Sequence, residues 1–260
     1  MSAVAWPECG WIKFPREDAL AMWAAHADVA ARKAVQDPAM AEWLRCGGTW
    51  FVGVNALPND ANGVLPGGPA LTGTAIEKAQ ALARWCPLDR AQASVCYPGY
   101  PAQGEEESES AFRYRRDRDA AHVDGLHRIM PGRRRMLKER HAYILGIPLN
   151  DAPADAAPLV VWEGSHEIMR AAFNARFRGV APGAWSDEDV TEVYQTARRE
   201  VFETCQRVTV SAKPGEAYLV HRLALHGVAP WKAGEGRRAI AYFRPEYPET
   251  APDDAWLTAP

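Results

Sequence analysis

Ala121-His122-Val123-Asp124-Gly125 can be read as helix or as extended chain, and both fold and chemistry turn on the choice. On extended chain successive side chains alternate, so His122 and Asp124 share one side and Val123 takes the other. Gly125 closes the stretch and Pro131-Gly132 follows, punctuation that argues for a strand end or loop. A partner stands 104 residues further on, in Leu225-His226-Gly227, and Arg237 comes eleven residues after that. Two imidazoles and one carboxylate on a shared face suit a non-haem ferrous ion with coordination positions left open.

The pair alone is weak, because a chain with 7 His and 33 acidic residues supplies about one His-x-acid match by chance. There are two. His26-Ala27-Asp28 lies within Arg16-Glu17-Asp18-Ala19-Leu20-Ala21-Met22-Trp23-Ala24-Ala25-His26, rich in helix formers and free of Gly and Pro. On a helix those two side chains point to nearly opposite sides and cannot hold one ion. His122, Asp124 and a distant His226 therefore remain as the candidate metal ligands.

Composition sets the background. The 260 residues are 47% hydrophobic, ample for a large core, and the net charge of -3 gives no electrostatic case for nucleic acid as a partner. No basic and then apolar leader pattern is visible at the N-terminus and no run of about 18 apolar residues exists, so neither secretion nor membrane spanning is expected and the expected location is the cytoplasm. Cys9, Cys46, Cys86, Cys96 and Cys205 are odd in number, widely spaced and without zinc-type pairing, which reads as buried thiols in a reducing compartment. The oligomeric state stays open.

The pattern predicts one domain over 1–260, with a helical part to about residue 88, a strand-rich core over about 89–248 and a tail over 249–260. Helices are expected from Arg16 to about Val35, from Pro38 to Arg45, from Thr74 to Trp85 with Thr74 and Glu77 as a capping box, and from Ser186 toward Phe202. Strands are expected at 48–54, 91–97, 141–148, 159–162, 207–210, 217–221 and 237–243. Many short strands split by Gly and Pro turns imply a mainly β fold with α, a double-sheet sandwich or jelly roll under a helical N-terminal cover.

Two further features bear on ligands. An acidic run, Glu105 to Ser110, leads into ten basic residues between Arg113 and Arg140, flanking the His122-Asp124 pair. The Glu run reads as a solvated mobile loop, whereas arginine suits bidentate recognition of an anion, so Arg116 and Arg118, nearest before His122, are candidate substrate contacts. The last strand alternates Arg237, Ala239, Ala241 and Phe243 against Arg238, Ile240, Tyr242 and Arg244. The first set is small beside an arginine, which leaves room for a ligand and favours Arg237 facing the cavity.

Taken with Leu159-Val160-Val161-Trp162-Glu163-Gly164-Ser165-His166, Gly215 to His221 and His226-Gly227-Val228-Ala229-Pro230, these residues make the chain resemble the phytanoyl-CoA dioxygenase family across about residues 90–245. The resemblance implies a double-stranded β-helix, iron on His122, Asp124 and His226, Arg237 on the distal carboxylate of 2-oxoglutarate, and O2-dependent hydroxylation of a small organic molecule. Val228 stands where a hydroxyl residue often helps hold the co-substrate, and Asp124 stands where related halogenases lack a carboxylate, so hydroxylation is favoured. The basic cluster favours an anionic substrate. Two other classes compete: a cupin-type metalloenzyme without 2-oxoglutarate, for which Arg237 would be dispensable, and a non-catalytic jelly-roll binding protein, which would tolerate His122→Ala.

Overall fold

β-branched and aromatic residues gather in short runs between turns, and in the computed structural model, which describes residues 6–83 and 86–260, these runs become strands. They are β1 (Trp11–Phe14), β2 (Leu44–Arg45), β3 (Trp50–Phe51), β4 (Gln92–Cys96), β5 (Leu126–Ile129), β6 (Arg134–Leu137), β7 (Tyr143–Pro148), β8 (Leu159–Trp162), β9 (Arg207–Val210), β10 (Ala217–His221), β11 (His226–Val228) and β12 (Arg238–Phe243). The helices are α1 (Trp6–Cys9), α2 (Asp18–Gln36), α3 (Thr74–Ala83), α4 (Glu109–Asp117), α5 (Ser165–Phe177), α6 (Thr191–Thr204) and α7 (Ala255–Thr258).

A seven-stranded antiparallel sheet runs β1-β10-β7-β12-β4-β3-β2, a smaller one runs β11-β8-β9, and β5 and β6 form a separate hairpin. Every residue of β4, β7, β8, β10 and β12 is buried, because both faces of each sheet are covered. Between the sheets lie Ile144, Leu159, Val161, Tyr218, Val220, Ile240 and Tyr242. The outer face of the large sheet, with Leu145, Leu219, Ala239, Ala241 and Phe243, packs on Trp23, Ala24, Ala27 and Ala31 of α2. Val160 and Trp162 of the small sheet turn outward onto Phe173 and Phe177 of α5 and Val201 of α6. The result is four layers: helix, sheet, sheet, helix.

Several expectations change in detail. The segment after Pro38 is a 3-10 turn, Pro38–Trp43, and Leu44–Arg45 is already strand. The Thr74-Glu77 capping box does not form; Glu17 reaches across to cap α3, accepting from the Thr74 amide at 3.1 Å and from its hydroxyl. Arg84 and Trp85, the expected end of that helix, lie outside the described residues. The helix expected from Ser186 begins instead at Thr191, after a 3-10 turn, Pro182–Asp187. The acidic run is not simply a solvated loop: Ser108 caps α4 and Glu107 pairs with Arg115 at 2.5 Å. None of the five cysteines is in a disulfide among the described residues, and three of them are buried.

Candidate metal centre

His122 and His226 meet through their backbones. The His122 amide donates to the His226 carbonyl at 2.8 Å and the His226 amide donates back at 3.1 Å, an isolated antiparallel bridge across 104 residues. Extended backbone at His122 and Val123 sends Val123 into the core beneath the small sheet, so His122 and Asp124 share the opposite side. Gly125 then turns the chain at φ +79°, where an added Cβ would meet the Glu139 carbonyl at 2.1 Å. The two rings stand 4.6 Å apart.

The ring orientations turn the same atom of each toward Asp124. His122 Nδ1 lies 2.9 Å from the Ala120 carbonyl, and His226 Nδ1 lies 3.0 Å from the Ala224 carbonyl. A carbonyl can only accept, so each Nδ1 carries a proton and Nε2 is the ring atom each histidine could offer a metal; on His122 that atom is hydrogen-bonded to Asp124 in its place. His122 Nε2 lies 3.1 Å from Asp124 Oδ1, and His226 Nε2 lies 3.7 Å from Asp124 Oδ2. One donor atom from each residue falls within 4.8 Å of the others, which makes this the one metal-ligating group among the described residues.

Electrostatics put Asp124 and His226 in their ligating forms. Burial would raise the Asp124 carboxyl, but Arg244, His226 and His122 hold it well below the usual range. Burial drives His226 down to about 4 against the opposing pull of Asp124. Burial also acts to lower His122, yet the hydrogen bond and charge of Asp124 outweigh it and leave His122 above its ordinary value. Near neutral pH the carboxylate is ionised and His226 is neutral, as metal binding requires.

The three ligands open onto a cavity of about 760 Å³. Trp50, Val52, Tyr100 and Tyr242 line it with aromatic and apolar groups, and Asp89, His127, Glu139 and His141 line it with polar ones. Asp124 and His226 are only 10% and 7% exposed, so His122, at 45%, is the ligand facing that space.

Comparison with solved structures places this architecture. Over 92% of the chain, and 79% of the other, it is similar to the non-heme alpha ketoglutarate dependent carbocyclase SnoK from nogalamycin biosynthesis, with 15% identity and a TM-score of 0.53. The fold is a double-stranded β-helix. It is similar over 95% of its length, and 84% of the other's, to the epimerase SnoN of the same biosynthesis and cofactor dependence, at 13% identity and a TM-score of 0.50. EctD from S. alaskensis with bound Fe gives a weaker likeness, at 18% identity and a TM-score of 0.46 over 97% of this chain and 80% of that one. No family model matches the chain, and no curated protein matches it in sequence.

Within this jelly roll the parity of β12 is the reverse of the sequence expectation. Arg237 lies on the outer face, pairs with Asp28 of α2 and is not among the residues lining the cavity. Its neighbours Ala239 and Ala241 are small because α2 packs on them through Ala24, Ala27 and Ala31, all fully buried. Small side chains here mark close helix-on-sheet approach, not room for a ligand. Inward instead are Ile240 and Tyr242, between the sheets, with Arg238 at one end donating to the Tyr242 hydroxyl at 3.1 Å and Arg244 at the other contacting Asp124.

The other residues singled out in the sequence fall as follows. Arg116 is exposed and pairs with Asp117, and Arg118 lies over the Phe202 ring; neither lines the cavity. The His221 and His166 rings are tilted against each other with centroids 4.8 Å apart, outside the cavity lining and beside Arg170. His127 and His141 both line the cavity and share Glu139 Oε2, each at 3.2 Å. Gln92, Glu139, Arg238 and Arg244 escape sequence reading, although the arginines at both ends of the bulky face of 238–244 were a usable signal.

Proposed function

We propose that the protein is a non-haem Fe(II)- and 2-oxoglutarate-dependent oxygenase of the phytanoyl-CoA dioxygenase type that hydroxylates a small organic molecule, releasing succinate and CO2. The observation that carries this reading is the convergence of His122, Asp124 and His226, both Nε2 atoms turned toward the carboxylate, on the wall of a cavity large enough for a substrate beside a co-substrate. The donor set fits ferrous iron, since two neutral imidazoles and a carboxylate leave half an octahedron open. Iron and 2-oxoglutarate together would supply the oxidising power; the protein supplies orientation and exclusion of water.

Two arginines on the inner face of β12 are candidates for the distal carboxylate of 2-oxoglutarate. Arg244 is already engaged by Asp124 and Gln92. Arg238 is 6% exposed, and its Nη1 is buried without a partner. An orphaned buried guanidinium donor is costly unless an acceptor arrives; Arg237 Nη1 is orphaned too, but Arg237 faces α2, so Arg238, on the inner face of β12 though not itself lining the cavity, takes the role that the sequence gives to Arg237. Tyr242 lines the cavity and bonds both the Arg238 guanidinium and the Tyr218 hydroxyl, which fixes that guanidinium's direction.

Arg244 is the one arginine among the described residues lining the cavity, and Asp89, Glu139 and Glu246 line it too. The lining therefore lends no support to the anionic substrate suggested by the basic cluster. A cavity of this size, lined by both aromatic and polar side chains, suits a small molecule with apolar and polar parts. No helix among the described residues is long and apolar enough to cross a membrane.

The test is an anaerobic titration with Fe(II) and then 2-oxoglutarate, following the visible charge-transfer band. A band in the wild type that vanishes in His122→Ala is the expected result. Iron binding without a band would favour a metalloenzyme that does not use 2-oxoglutarate, and no iron binding would leave a binding protein.

A further inference from the structure

Asp124 has two oxygens, and the protein treats them differently. Oδ1 faces His122 Nε2 at 3.1 Å, whereas Oδ2 is approached by Arg244 Nη1 at 3.3 Å and lies 3.7 Å from His226. Arg244 is held in place from four directions. Its other guanidinium nitrogen donates to Gln92 Oε1, its amide donates to Asp89 Oδ1 at 2.7 Å, and its carbonyl accepts from His141 Nδ1 at 2.8 Å. Gln92 is itself 5% exposed, on β4. A simple ion pair would need none of this; a guanidinium with backbone and side chain both fixed has a direction to keep.

We infer that Arg244, braced by Gln92, holds the Asp124 carboxylate so that it offers a metal one oxygen only, and thereby preserves the coordination position that dioxygen needs. This rests on the iron and 2-oxoglutarate reading above. Carboxylates bind metals through one oxygen or both. With one oxygen, the protein fills three of six positions and 2-oxoglutarate two, leaving one. With both, nothing is left. Arg244 is a positioning residue: it acts through Asp124 and lies on the strand that also carries Arg238.

The test uses the full chain loaded anaerobically with Fe(II) and 2-oxoglutarate, with nitric oxide as a stable stand-in for dioxygen read by the electron paramagnetic resonance of its iron adduct. Arg244→Met should keep the charge-transfer band but bind nitric oxide roughly 10- to 100-fold more weakly, the range that partners of metal ligands command. Arg244→Lys, which restores a cation without the fork, should recover part of that loss, and Gln92→Leu should fall between the two. Wild-type nitric oxide affinity in a folded Arg244→Met would overturn the inference while leaving the oxygenase reading intact. Should Arg244→Met not fold, Gln92→Leu decides by the same measurement. A wild type that binds iron but gives no band removes both readings together.

Discussion

At the scale of single residues the predictions separate neighbours. Arg238→Ala should raise the 2-oxoglutarate needed for half-maximal band intensity by at least about tenfold, since a charge-assisted bidentate contact is lost. Arg237→Ala should leave that value near wild type and cost only the Asp28 ion pair, measured as a small fall in Tm. Glu139 makes a pH prediction. The hydrogen bond from His141, with help from His127, pulls its carboxyl from 4.5 to about 2, and the same contact raises His141 above 6.5 although burial opposes it. A depressed carboxylate stabilises above its unfolded pKa and loses that stabilisation as pH falls; a raised histidine stabilises below its unfolded pKa and loses it as pH rises. These are one interaction seen from two sides, so the Tm difference between wild type and Glu139→Gln should be greatest between about pH 4.5 and 6.5 and shrink in both directions. The candidate ligand group was legible because His122 and Asp124 combine a spacing of two with a following Gly. Arg244 was not, because its partners His141 and Asp124 lie more than 100 residues away and carry no local pattern.

At the scale of elements, the segment with the candidate metal ligands His122 and Asp124 is anchored by the turn before it. Asp119 accepts from Arg207 Nε and Nη2 at 2.8 and 2.9 Å, and its carbonyl takes the Val228 amide at 2.9 Å, tying α4, β9 and β11 together. Arg207 is 42% exposed, so Asp119→Ala should cost only about 1 kcal/mol of stability. It should nevertheless weaken Fe(II) binding several-fold, because Ala120 and His122 hang from that turn; isothermal titration at equal temperature distance below each Tm checks this. β7, β8, β9 and β10 could be placed from sequence because each is a short β-branched or aromatic run between turn residues. α5 could not: Gly164-Ser165-His166 reads as a turn, and Gly164 does adopt left-handed backbone at φ +78°, but only to cap the helix that follows. The facing of β12 failed for a different reason, since alternation gives two faces and says nothing of which neighbour each meets.

At the scale of the whole molecule, the double cover separates stability from chemistry. Trp23 is fully buried between α2 and the outer face of the large sheet and donates to the Gly63 carbonyl at 2.8 Å, with the sheet between it and the cavity. Trp23→Ala should cost about 3–5 kcal/mol by denaturant unfolding yet leave the Fe(II) affinity of the folded fraction within about twofold. The layering itself was foreseen as a β sandwich with helices, but the second helical layer of α5 and α6 was only half foreseen, because the sequence places its helices mainly in the first third. The reciprocal bridge between His122 and His226 bears on how the molecule assembles. Its two strands can pair only once the long segment between them has closed a loop, a step whose entropy cost is met late and slows folding. A metal ion held across that seam would recognise finished chains and ignore partly formed ones, adding about 2.7 kcal/mol to the native state when present at a hundred times its dissociation constant. The ion proposed to equip the protein for oxidation would thus serve as the latch on its last closure.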